Sequence, residues 1–146
     1  MVRLIFSMAV LAALVLSGPS VRAGTPQAID DPAKFAQEIS DLIAKSQTEE
    51  AASQVAAIVG VPEQTAMLSG LVSTFKGHPL GVEDKVIDKT FGTSLHQIIY
   101  MFSFDQASFV YVRYNFKKTG IGWILANFNY QTETQGLFPP SFVESY

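Results

Sequence analysis

The chain has no cysteine, which excludes disulfide staples, thiol chemistry and a lipid-modified cysteine at a processing site. It has two histidines, His78 and His96, neither with an acid or a second histidine at ligand spacing. No metal and no cofactor are therefore expected. Positive charge is sparse: ten Lys and Arg stand against thirteen Asp and Glu, with Lys117-Lys118 the one basic pair. That balance lacks the clustered positive face that a phosphate backbone requires, so nucleic acid is not expected as a partner. No Gly-rich phosphate loop follows a strand pattern and no Ser occupies a strained strand-to-helix elbow, so phosphoryl and acyl transfer lack their equipment.

Long apolar runs are also missing. The stretch Leu4 to Leu16, apolar apart from Ser7, covers thirteen residues, short of the about 20 that span a bilayer. It follows the basic Arg3 and precedes Ser17-Gly18-Pro19-Ser20 and the small-residue pattern Val21-Arg22-Ala23. This is the pattern of a secretory signal peptide over residues 1–23, with cleavage after Ala23 and no membrane span thereafter. Residues 24–146 are expected to form a single α+β domain, periplasmic or secreted. Without Arg3 and Arg22 that domain carries eight basic and thirteen acidic residues, a formal charge of −5.

Residues 24–31 read as a flexible lead-in. Asp31 is placed to cap a helix that has Pro32 in its first turn and Phe35, Ile39, Leu42 and Ile43 at helical spacing. Thr48 is expected to cap a second helix with the small-residue face Ala52, Val55, Ala56 and Val59, ended by Gly60. A third helix is expected from Pro62, with Leu68, Leu71, Val72 and Phe75 on one side and Gly77 as its stop. From Val82 the periodicity changes to two and β-branched and aromatic residues dominate, which predicts strands near 82–91, 95–104, 108–117 and 121–131. Short connections join the last three as an antiparallel meander; the pairing of the first strand stays open.

Hairpins symmetric about their turns would place His96, Ile98, Tyr100 and Phe102 with Phe116, Tyr114, Val112 and Val110, and then with Gly122, Ile124, Ala126 and Phe128. This even-numbered face is the expected core face, packed under the helices. The odd face would hold Gln97–Asn115–Trp123, Ile99–Arg113–Leu125 and Met101–Tyr111–Asn127, a mixture that water alone would not usually cover. Asp84 and Asp88 would share a face, alternating with Lys85 and Lys89 as on a charge-blunted edge strand. The tail from Gly136 holds two prolines and three aromatics, and Leu137 and Phe138 are expected to dock on the domain.

Three segments carry a family resemblance: Leu71-Val72-Ser73-Thr74-Phe75 before a Gly turn, Phe109-Val110-Tyr111-Val112-Arg113-Tyr114-Asn115-Phe116-Lys117-Lys118, and Gly122-Trp123-Ile124-Leu125-Ala126-Asn127-Phe128. The last is similar to a Gly-Trp-x-(Ile/Leu)-x-x-Phe final strand. Over roughly Leu68 to Phe138 the chain resembles the nuclear-transport-factor-2-like, or cystatin-like, domains, particularly small exported bacterial ones. The resemblance implies N-terminal helices on one face of a curved four-stranded antiparallel sheet, and a group that includes isomerases, dehydratases and binding domains. Its isomerases use a Tyr hydroxyl and an acid in a cavity. Here no even-face position from His96 to Tyr130 is acidic.

Two functions follow. The first is a binding domain that uses Met101, Tyr111, Arg113, Asn115, Trp123 and Asn127 on the odd face, toward a protein partner or a second copy of itself; Trp, Tyr, Met and Arg are enriched at interfaces. The alternative is a small enzyme or carrier for an apolar ligand, with His96, Tyr100, Tyr114 and Tyr130 at a pocket.

Overall fold

The computed structural model describes residues 24–132, except 63, 64, 79, 82 and 105–107 and the side chain of Glu83. The signal-peptide reading of residues 1–23 and the docking expected of Leu137 and Phe138 fall outside these residues. Three helices, α1 (Pro32–Ala44), α2 (Thr48–Val59) and α3 (Ala66–Phe75), precede four strands, β1 (Glu83–Phe91), β2 (Leu95–Ser103), β3 (Phe109–Thr119) and β4 (Gly122–Gln131). Each helix end follows from local chemistry. Asp31 Oδ1 accepts hydrogen bonds from the Ala33 and Lys34 amides, both 3.0 Å, and Pro32 occupies the first turn. Gly60 closes α2 in the left-handed region at φ 73°, a conformation that costs little without a Cβ. Two helix starts differ from the sequence reading. Gln47, not Thr48, is the N-cap of α2, and Thr48 is buried in its first turn. In the third helix Thr65 is the N-cap, so it begins at Ala66 and not at Pro62.

The strands form one open antiparallel sheet in the order β1-β2-β3-β4. Under the helices lie Ile98, Tyr100, Phe102, Val110, Val112, Tyr114 and Phe116, all at most 1% exposed, against Ile39, Ile43, Leu68, Leu71 and Phe75. This is the α+β arrangement with N-terminal helices over one sheet face. The β2–β3 register agrees with the symmetric-hairpin rows, pairing His96 with Phe116, Ile98 with Tyr114, Tyr100 with Val112 and Phe102 with Val110.

The β3–β4 register does not agree. Thr119 pairs with Gly122 and Phe116 with Leu125, then Asn115 pairs with Asn127, so that Ala126 is an extra residue in a bulge. A two-residue connection, Gly120-Ile121, replaces the expected turn, so that Phe116 meets Leu125 instead of Gly122, and this shift by three, an odd number, exchanges the faces of the first half of β4. Trp123 and Leu125 therefore join the helix-facing core, Leu125 at 3% exposure. The bulge restores alternation, and Phe128 and Tyr130 also point inward, opposite Tyr114 and Val112. The rows that had placed Trp123 and Leu125 on the outer face are corrected accordingly.

A second bulge, at Val86, lies between the Lys85–Tyr100 and Ile87–Ile99 pairs of β1 and β2. It puts Asp84 on the outer face and Asp88 on the inner one, so these two acids do not share a face as expected. Bulge and charges together blunt the β1 edge against further strand pairing. The start of the β4 edge is covered differently. Residues Gly24 to Ile29, expected to be flexible, form a strap along the end of α2 and onto β4: Gly24 N donates to Gly60 O (2.6 Å), Gln27 N to Ile58 O (2.9 Å) and Ile29 N to Trp123 O (2.7 Å). Ile29 is buried beneath it.

The strap presses directly on the α2 cap. A Cβ at Gly60 would lie 2.5 Å from the Gly24 carbonyl oxygen, besides requiring the left-handed backbone. Gly60→Ala is expected to cost about 2 kcal/mol or more. Urea unfolding of the two proteins checks this; an unchanged midpoint would contradict the packing of the strap.

Candidate functional site

With both bulges placed, the outer face of the sheet reads in rows. Nearest the β1–β2 turn are Phe91, Leu95, Lys117 and Ile124, then Lys89, Gln97, Asn115 and Asn127, then Ile87, Ile99, Arg113 and Asn129, then Asp84, Met101, Tyr111 and Gln131. The β1–β2 side is largely apolar: Ile99 and Tyr111 are buried, with Ile87 and Met101 packed against them. The β3–β4 side is rich in amides, and Gln97 Nε2 donates to Asn115 Oδ1 at 2.9 Å. Arg113 stands where the two halves meet. Its Nε is buried and, among the described residues, has no hydrogen-bond partner. A buried donor left unpaired costs about 1–3 kcal/mol, more when charged, and a guanidinium cannot shed its proton to escape that cost. Arg113 as a whole is only half-buried, and charged guanidinium N–H groups make their strongest hydrogen bonds to carboxylate oxygens.

Of the six odd-face candidates, Met101, Tyr111, Arg113, Asn115 and Asn127 are brought onto this face and Trp123 is not. Its backbone is bridged to Ile29 and its ring lies 6.1 Å from that of His96, on the helix side. The four pocket candidates are all on the inner face but do not converge. Tyr100 donates to Gln37 Oε1 (2.8 Å) and Tyr114 is hydrogen-bonded to Ser40 Oγ (2.9 Å), both on α1. Tyr130 packs against Phe75 of α3, with its hydroxyl 2.5 Å from where a Cβ of Gly70 would lie. None of the four lines the open cleft of 510 Å³ at the α1–α2 junction, which is bounded by Ser46, Gln47, Thr48, Glu49, Glu50 and Lys76.

The sequence reading missed the partner of His96. His96 Nε2 is 2.6 Å from Asp88 Oδ1, and Lys85 Nζ is 2.7 Å from Asp88 Oδ2. The acid therefore comes from β1, outside the positions searched for one. The signal was present: a turn centred on Thr93 pairs Thr90 with His96 and leaves Asp88 two residues along on the same face. The imidazole rests against Phe116 at 6.2 Å and is 14% exposed, a hydrogen-bonded histidine at the core edge. Among the described residues no group of three or more His, Cys, Asp and Glu is arranged to hold a metal.

Partial burial pushes the Asp88 carboxyl up, but the hydrogen bonds from Lys85 and His96, with the charges behind them, outweigh it and hold the group below the ordinary carboxylate value. A folded-state value below the unfolded one stabilises the fold above the unfolded carboxylate range, and that stability is lost as pH falls through the lowered value. Urea unfolding at neutral pH and at about pH 3 should show a smaller acid-induced loss in Asp88→Asn than in wild type. Equal losses would mean that the cluster does not contribute to acid sensitivity.

Comparison of the chain with protein-family models, curated proteins and solved structures finds no match, so its chemistry is read from its own side chains. Among the described residues no helix is long and apolar enough to cross a membrane.

Proposed function

We propose that the chain is an exported binding domain that uses the outer face of its sheet, with Arg113 as the anchor for an oxygen-bearing group on a protein partner or a second copy of the chain. The observation that carries this reading is the buried, unpartnered Nε of Arg113 amid Tyr111, Met101, Asn115 and Asn127. The blunted β1 edge and the strap at the start of β4 support contact through the face rather than by strand addition. Export rests on the Arg3, Leu4–Leu16 and Ala23 pattern, and the order of helices before a meander supports the nuclear-transport-factor-2-like resemblance. The cavity-based alternative draws on the His96–Asp88 pair, but the bonds of Tyr100 and Tyr114 to α1 favour binding over catalysis.

Sedimentation velocity of the 24–146 chain at micromolar concentration tests the self-association form of this reading. Wild type should associate, and Arg113→Met should weaken association by roughly thirtyfold, the equivalent of about 2 kcal/mol. The methionine fills similar space without a charge, so the monomer should be as stable as wild type or more so. A wild type that stays monomeric would remove the second copy as partner. Association untouched by Arg113→Met would remove Arg113 as anchor.

A further inference from the structure

Of the five exposed large apolar side chains among the described residues, three lie together on the two hairpin tips at one end of the sheet, while Val86 and Phe109 lie apart from them. Phe91 is 45% exposed and Leu95 50%, paired across the end of β1 and β2, and Ile121 is 67% exposed in the β3–β4 connection. The tips are neighbours: the Lys118 amide donates to Ser94 O at 2.8 Å. Nothing described stands over them, since a Cβ at Gly92 or at Gly120 would meet no atom within 4 Å. Three lysines accompany these residues. Lys89 Nζ lies 5.1 Å from the centre of the Phe91 ring, Lys118 Nζ 5.6 Å from that of Trp123, and Lys117 is paired with Leu95.

Neither tip segment, 89–95 nor 117–123, contains an acid, although the domain as a whole is acidic. The acids next in sequence to the tips and the strap are engaged, Asp88 with Lys85 and His96 and Asp31 with the first turn of α1, and Asp84 lies at the far end of β1. Asp30, next to Ile29 on the strap, is the exception. A protruding apolar edge rimmed by lysines on an otherwise acidic body is suited to one orientation against a negatively charged apolar layer. We propose that the paired hairpin tips dock on the surface of a bilayer containing anionic lipid, with Phe91, Leu95 and Ile121 entering the headgroup region and Lys89, Lys117 and Lys118 meeting lipid phosphates.

Screening supports a local rather than a whole-molecule attraction. At physiological ionic strength the Debye length is about 8 Å, so the tip lysines act while charges on the helical layer are largely screened. Lys117 and Arg113 are four residues apart on β3, roughly 13 Å, so this contact is separable from the Arg113 anchor and does not rest on it, although Lys89 shares the row of Asn115 and Asn127.

Vesicle co-sedimentation of the 24–146 chain, with phosphatidylglycerol–phosphatidylcholine and pure phosphatidylcholine vesicles, tests the proposal. Binding should require phosphatidylglycerol and weaken with salt. Each of Lys89→Gln and Lys117→Gln should lower the partition coefficient by roughly fivefold. The double variant Phe91→Ser/Ile121→Ser should lower it further, with an unchanged melting temperature because both residues are exposed. Failure to bind anionic vesicles, equal binding to both vesicle types, or full binding by the serine double variant would overturn the proposal. So would tip-dependent capture of an acidic protein without vesicle binding.

Discussion

Replacing Phe128 with alanine will lower the free energy of unfolding by about 3–5 kcal/mol. Phe128 is 4% exposed and packs edge-on to Tyr114 at 5.3 Å between centroids. Tyr114 in turn meets Phe116 and Tyr100 and is held to α1 through Ser40, so the surroundings have little freedom to close the space left behind. Against a typical stability of 5–15 kcal/mol for a domain, that loss is a large fraction of the whole. Chemical denaturation with a two-state fit is the measurement, and a change below about 1 kcal/mol would mean that Phe128 does not face the helices.

Leu125 and Asn127 give a sharper contrast. In a regular strand they would share a face, and their substitutions would have similar consequences. The bulge at Ala126 separates them, with Leu125 in the core and Asn127 exposed on the outer face. Leu125→Ala should therefore cost about 2–5 kcal/mol, whereas Asn127→Ala should stay within about 0.5 kcal/mol. Similar values for both would argue for the unbulged register.

Much of the fold was legible because its signals are local. Asp31-Pro32 announces α1, Gly60 ends α2, and the alternation from His96 to Phe102 fixes the inward side of β2 before any partner is known. The face of β4 was not legible under the assumption of a symmetric hairpin. Yet the spacing of its large residues gives it away: Trp123 and Leu125 are two apart, Phe128 and Tyr130 are two apart, and Leu125 to Phe128 is three. A gap of three inside a period of two marks an inserted residue. The interface reading lost its Trp to that gap, while Arg113 kept its place because the β2–β3 register has no bulge. Asp88 was overlooked for a different reason. Its meeting with His96 depends on the β1–β2 pairing, and a run of alternating charges carries no hydrophobic pattern to reveal it.

The strap that joins Ile29 to Trp123 also bears on when the fold becomes complete. It ties the first described segment to the last strand, so almost the whole chain must be present before that hydrogen bond and the burial of Ile29 can form. Closing so long a loop comes at an entropic cost that local helices and hairpins do not incur. The helices and the β2–β3 hairpin can therefore gather early, while the strap closes late. A chain emerging from synthesis, or threaded from its N-terminal end, passes through a stage in which α2 and the β4 edge are still open. Cooperative locking then falls to Ile29 and the start of β4 together.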